Sequence, residues 1–364
     1  TYDSFWQDQA VDKILAAQYA KQPPTVPILL VHSLWDAEDI YGALAVYKAI
    51  KPLDGNNMVH LTLGPWHHGG AIEDGSTLGQ LHLPADPSVY WRQHVLKPFL
   101  ARYLQDDTSV PAIPTVTAYQ TGTNTWQQFP AWPVTKPTAK LYLHANASAS
   151  FAPPAASEAA TTEYLSDPAH PVPYLPRPNQ PVCYTPTCPW PNWLTSDQRE
   201  ASGRPDVATF TSDVLTAPVT IAGEPIANLI ASTSGTDADW VVKLIDLYPD
   251  EVAAQPWMGS YQLMISADIF RGRYRQSLEH PSAIPANTPE PYRFALPNAN
   301  HVFLPGHRIV VQVQSSWFPL YDRNPQTFVP SIFFAKPADY VKATQKVFHS
   351  PSEASFIELP VVHP

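Results

Sequence analysis

The sequence predicts an α/β plus all-β chain: a parallel sheet of βαβ units over residues 1–108, then a β-sandwich of jelly-roll type over residues 109–364. Strand and helix patterns alternate in the first part, as parallel sheets require. From about residue 110, short β-forming stretches recur between turn clusters, with no helical pattern longer than two turns. Proline is abundant, 42 of 364 residues, against a usual share of about 5%. It is dense from Pro111 onward, and its missing backbone donor suits loops, turns and strand edges.

Residues 25–33 (TVPILLVHS) form a nearly continuous apolar run, the pattern of a strand covered on both faces. Ile40, Leu44, Tyr47 and Ile50 then fall at helical spacing between residues 38 and 51. Residues 57–63 (NMVHLTL) give the next strand. Asp86 and Pro87 make an N-cap and first-turn pair for a helix over 88–104, with Leu96, Phe99, Leu100 and Tyr103 on its apolar face and a kink expected at Pro98. In the second region, strands are expected at 115–119, 139–144, 209–214, 226–233, 240–247, 261–266, 292–296 and 308–315. Residues 145–205 read as proline-rich coil lying on the surface.

With 22 basic and 32 acidic residues the net charge is −10, which argues against nucleic acid or an anionic membrane as partner. No apolar run reaches spanning length. The two cysteines, Cys183 and Cys188 in CYTPTCPW, are too few for a zinc ribbon. Either they are free thiols or, as favoured here, a local disulfide aided by a turn at Pro186. The 13 histidines are scattered, and Asp237 and Asp239 read better as a polar turn before a strand than as a calcium site. No metal or cofactor is expected.

Chemistry concentrates in two loops. LWDAED (34–39) follows the first strand and GPWHHGG (64–70) the next, and ligands of open α/β sheets bind beyond the carboxyl ends of strands. An acid after one strand and a histidine after the next is the Asp-then-His order that closes an α/β-hydrolase triad. Asp36 would orient and charge-balance His68, which would act as general base. On residue type alone, Glu38 and Asp39 are better explained as caps of the following helix. No G-x-S-x-G elbow is present, and Ser76 in GSTLG lies after His68, away from any strand-to-helix turn.

LWDAEDIYGA and LGPWHHGG resemble the α-amino-acid ester hydrolases, of the wider group with cocaine esterase, glutaryl-type acylases and X-Pro dipeptidyl peptidases. The similarity continues through YLSDPAHPVPY (164–174), SDQREASGRPDV (196–207), TSGTDADWVVKLIDLYP (233–249), DIFRGRYR (268–275), HVFLPGHRI (301–309), QSSWFPLYDRNPQTFV (314–329) and AKPADYVKATQ (335–345). The resemblance implies the C-terminal part of an α/β-hydrolase domain, with residues 1–22 as the end of a helical cap, followed by the jelly roll. It implies Asp36 and His68 as catalytic residues. Glu38 and Asp39 then become two members of a carboxylate cluster holding a substrate α-ammonium, a role that overtakes capping. His67 takes no catalytic role.

The family's serine, oxyanion-hole tyrosine, most of the cap and third carboxylate are expected upstream of Thr1, in an N-terminal half that acts as partner. The implied activity is hydrolysis or acyl transfer of α-amino acid esters and α-amino β-lactam amides through an acyl-serine, with the chain inactive alone. Further expectations are a homo-oligomer and a periplasmic or secreted bacterial location. The alternatives are a glutaryl-type acylase, which two carboxylates disfavour, and a non-catalytic jelly-roll binding module.

Overall fold

In a computed structural model, which describes residues 1–136, 139–179, 181–183 and 188–362, the chain builds a parallel-type sheet and a much larger β-assembly. Strand Ile28–Ser33 pairs in parallel with Val59–Gly64, Ile28 opposite Val59 and Ser33 opposite Gly64. Helix Gly42–Ile50 crosses between them, burying Leu44, Tyr47 and Ile50. Ile40 falls outside the helix, because the chain first turns through residues 36–41. All six residues of Val59–Gly64 are buried, as expected for an inner parallel strand. Residues before the sheet form short helices, Ser4–Gln7 and Val11–Tyr19, neither with a buried residue.

The expected strand at 115–119 belongs to this first sheet and not to the sandwich. Val116–Gln120 runs parallel to Val59–Gly64 and forms a hairpin with Thr125–Phe129. Its five residues are all buried, so both faces are covered and local alternation could not tell which sheet it would join. Asp86 caps the helix as expected, its Oδ1 accepting from the N–H groups of Ser88 (2.8 Å) and Val89 (3.2 Å). Pro98 is accommodated by a π-helical turn at Arg92–Leu96, between helices Pro87–Trp91 and Lys97–Leu104.

The second region is almost wholly antiparallel. Its central run places Gln262–Arg271, Asp239–Leu247, Arg308–Gln314 and Val207–Ser212 side by side. The second group includes Ala139–Leu143, Phe356–Leu359, Ile226–Thr233, Ala343–Phe348 and Thr161–Ser166. Trp240, Phe210, Tyr292 and Phe303 lie in the core. Thr121 joins the two regions, its N–H donating to the Asn300 carbonyl (2.9 Å) and its own carbonyl accepting from Val302 (3.0 Å).

Residues 145–205 are not simply surface coil. They contain strands Ser148–Ser150 and Thr161–Ser166 and a 3-10 segment, Trp190–Thr195, that buries Trp193, Leu194 and Thr195. Cys183 and Cys188 form a disulfide, with Cα atoms 5.6 Å apart; the turn at Pro186 lies outside the described residues. Asp237 and Asp239 are engaged by arginines, Asp237 by Arg273 and Asp239 by Arg271 (3.6 Å). Among the described residues no group of three or more His, Cys, Asp or Glu side chains could hold a metal.

Candidate active site

The loops after the two parallel strands are tied to each other by main-chain bonds. Leu34 N–H donates to the Gly64 carbonyl (2.8 Å), and Trp35 N–H to that of Trp66 (3.1 Å). Ser33 Oγ adds a bond to the His67 carbonyl (3.2 Å). Below the histidine loop, Trp66 is buried against Trp91 and Trp126, with ring centroids 5.5 and 5.9 Å away. Gly64 allows that packing, since a Cβ there would fall 2.2 Å from the Trp66 ring. Gly64→Ala is expected to lose about 1–3 kcal/mol through overpacking. Urea unfolding beside Gly42→Ala, where a Cβ meets nothing within 4 Å, checks this; equal stability of the two variants would refute it.

This scaffold brings Asp36 and His68 together. His68 Nδ1 lies 3.2 Å from Asp36 Oδ2. Asp36 is the buried partner, its side chain 7% exposed against 44% for His68. Its other oxygen, Oδ1, accepts from the backbone N–H groups of Glu38 (2.7 Å) and Asp39 (2.9 Å). The carboxylate is thereby held by its own turn with one oxygen left for the imidazole. That arrangement sets His68 as the Nδ1–H tautomer and leaves Nε2 free to accept a proton.

Glu38 and Asp39 stand beside the same imidazole and do not cap the helix. Helix Gly42–Ile50 has no side-chain cap, whereas Glu38 Oε2 lies 4.0 Å from His68 Nε2 and Asp39 Oδ2 lies 3.8 Å from Nδ1. Desolvation pulls the His68 pKa down, but the charge and hydrogen bond of Asp36, then Glu38 and Asp39, outweigh it and raise it. A base works in its neutral form, so activity should rise with pH through a value above the ordinary 6.5. Glu38→Gln with Asp39→Asn removes two raising charges and should move the acid limb of kcat/KM to lower pH. An unchanged limb would mean that these carboxylates do not act on His68.

His68 opens onto a cleft of about 210 Å³ with two unlike walls. One carries Glu38, His67, His68 and Glu73, and the other carries the Cys183–Cys188 bridge, Trp190, Pro191 and Leu194. His67 is turned aside, its Nε2 3.5 Å from Glu73 and its Nδ1 2.8 Å from the His68 carbonyl. The second wall was missed from sequence, since residues 145–205 read as coil. The clustering of Trp190, Trp193 and Leu194 beside the cysteines was the available signal. Together the groups can move a proton at Nε2 and receive a molecule with a cationic and an apolar part.

Comparison with known proteins gives the family of the chain. The family described as "X-Pro dipeptidyl-peptidase C-terminal non-catalytic domain" matches residues 109–358, and that described as "X-Pro dipeptidyl-peptidase (S15 family)" matches residues 1–70. Cocaine esterase of Rhodococcus sp. (strain MB1 Bresler) is 30% identical over 345 residues, covering 92% of this chain and 56% of its own. A solved α-amino acid ester hydrolase is 50% identical with a TM-score of 0.94, over 99% of this chain and 59% of its own. An aminopeptidase from a marine sediment archaeon, Thaumarchaeota archaeon, is 48% identical with a TM-score of 0.94, over 100% and 59%. The chain thus spans under two thirds of the length of these relatives. Through residues 109–358 it belongs to the X-Pro dipeptidyl-peptidase C-terminal domain family, in the group with cocaine esterase and α-amino acid ester hydrolase, and it corresponds to the C-terminal part of those relatives.

Proposed function

We propose that this chain supplies the acid–base half of a serine hydrolase site acting on α-amino acid esters and α-amino amides, β-lactam amides included. The single observation that carries the reading is the Asp36–His68 contact across the loops of two adjacent parallel strands. The serine would come from an N-terminal half such as the longer relatives have. Its docking edge would be strand Ile28–Ser33, which among the described residues has a ladder partner on one side only.

In the proposed reaction, serine Oγ attacks the carbonyl carbon while His68 Nε2 takes its proton. His68 returns that proton to the leaving alkoxide or amine, giving an acyl-serine. Water then attacks the acyl group, again losing its proton to Nε2, and the freed serine is reprotonated as the acid departs. Glu38 and Asp39 would hold the substrate's α-ammonium, and Trp190 with Leu194 its apolar side. An anionic glutaryl group fits this acidic wall poorly. The jelly-roll form of the second region, assembly into a homo-oligomer and export to the periplasm or beyond belong to the same proposal, the last supported by the Cys183–Cys188 disulfide. A non-catalytic sandwich module would leave the Asp36–His68 pairing without a use.

The test combines this chain with its N-terminal half and assays phenylglycine methyl ester against methyl phenylacetate, which lacks the amino group. Preference for the amino ester is expected, and loss of that preference in Glu38→Gln/Asp39→Asn. Equal turnover of the two esters would overturn the ammonium assignment. The 48% identical aminopeptidase favours one second reading, a peptide substrate; phenylglycine amide and a dipeptide in the same assay decide between them.

A further inference from the structure

Asp36 also borders a second recess, of about 90 Å³, between the turn after strand Ile28–Ser33 and strand Gln262–Arg271 of the sandwich. Its walls include Trp35, Tyr41, Trp193, Trp317 and Tyr321, with a second carboxylate, Asp268, among them. None of its lining residues is a lysine, arginine or histidine.

The two carboxylates are differently placed. Asp36 has His68 beside it. Asp268 accepts the Tyr41 hydroxyl on Oδ2 and its neighbour's N–H, from Ile269, on Oδ1 (2.6 Å). Among the described residues no basic side chain forms an ion pair with it. Burial raises its pKa although the Tyr41 bond opposes this. Lys243 sits over the Trp317 ring at 4.9 Å, but its ammonium donates to Gln198 Oε1 (2.8 Å), and burial lowers its pKa to about 7. Lys243 is thus engaged by Gln198 and forms no ion pair with Asp268. Asp268 is half-buried, and a carboxylate drawn partly from water with no cation beside it favours a positive ligand, as do aromatic faces.

We propose that this recess binds a small organic cation, a methylated or primary ammonium, with Asp268 as its counter-ion and the Tyr41 and Tyr321 rings as aromatic walls. A recess of about 90 Å³ has room for an ammonium head bearing two or three methyl groups. The proposal goes beyond the hydrolase reading and needs no serine.

The experiment titrates the chain with trimethylammonium chloride at matched ionic strength, following tryptophan fluorescence and calorimetric heat, with tert-butanol as the uncharged ligand of similar shape. Saturable binding of the cation is expected, with little response to the alcohol. Asp268→Asn should weaken binding about tenfold or more. Tyr41→Phe, which frees Asp268 Oδ2, should tighten it severalfold, and carries the test if Asp268→Asn does not fold. Equal binding by Asp268→Asn, equal binding of tert-butanol, or no saturable signal overturns the proposal. So does loss of binding in Glu38→Gln/Asp39→Asn with Asp268→Asn unaffected, since the cation would then lie on the cleft carboxylates and support the substrate site instead.

Discussion

His68→Ala in the reconstituted enzyme should lower kcat/KM for an α-amino ester by about 10²–10⁴-fold or more, the usual contribution of a positioned acid–base group. The physical reason is that no other imidazole takes its place. His67, next in the chain, faces Glu73 and the His68 carbonyl. Asp36→Asn should cost about 10⁴-fold through a different route. Asp36 Oδ1 accepts two backbone N–H groups, so an asparagine there keeps its oxygen on that side and turns its NH2 toward His68 Nδ1. The imidazole must then accept at Nδ1 and carry its proton on Nε2, where it can no longer take one from serine. Single-turnover rates with an activated ester measure both variants. Turnover within a few-fold of the parent after His68→Ala would end the serine-hydrolase reading.

The largest stability effect is expected away from the site, at Arg273 and Asp237. The Arg273 guanidinium reaches Asp237 Oδ2 through Nε at 2.8 Å and Nη2 at 2.5 Å, and Nη1 reaches the Val329 carbonyl at 3.0 Å. Their side chains are 4% and 0% exposed. Deleting one member of such a pair strands a charge out of water, so Asp237→Ala should destabilise by about 3–5 kcal/mol, whereas replacing both with apolar residues costs less. Calorimetric unfolding should show a drop in Tm of roughly 6–10 °C for the single variant. A drop of only a degree or two would mean that water reaches the pair.

Much of the first region was legible because its signals are local. The apolar run before LWDAED and the helical spacing of Leu44, Tyr47 and Ile50 each lie within a dozen residues and depend on main-chain geometry. So does the N-cap at Asp86. The main strands of the sandwich were legible for the same reason. Thr125–Phe129, Val219–Gly223, Ala299–Phe303, Ala343–Phe348 and Phe356–Leu359 were missed: the first is short and half-exposed, and Ala299–Phe303 lies among prolines and asparagines.

By itself the sequence determined the order of chemistry, an acid leaving one strand and an imidazole leaving the next, together with the family to which that order belongs. Only the tertiary structure decided what stands around them. It moved Val116–Gln120 into the first sheet, carried the Cys183–Cys188 bridge and Trp190 to the cleft, paired Asp237 with Arg273, and set Asp268 against Tyr41. Those contacts join residues 36 to 227 positions apart, and alternation along a strand says which face is buried but not which partner covers it.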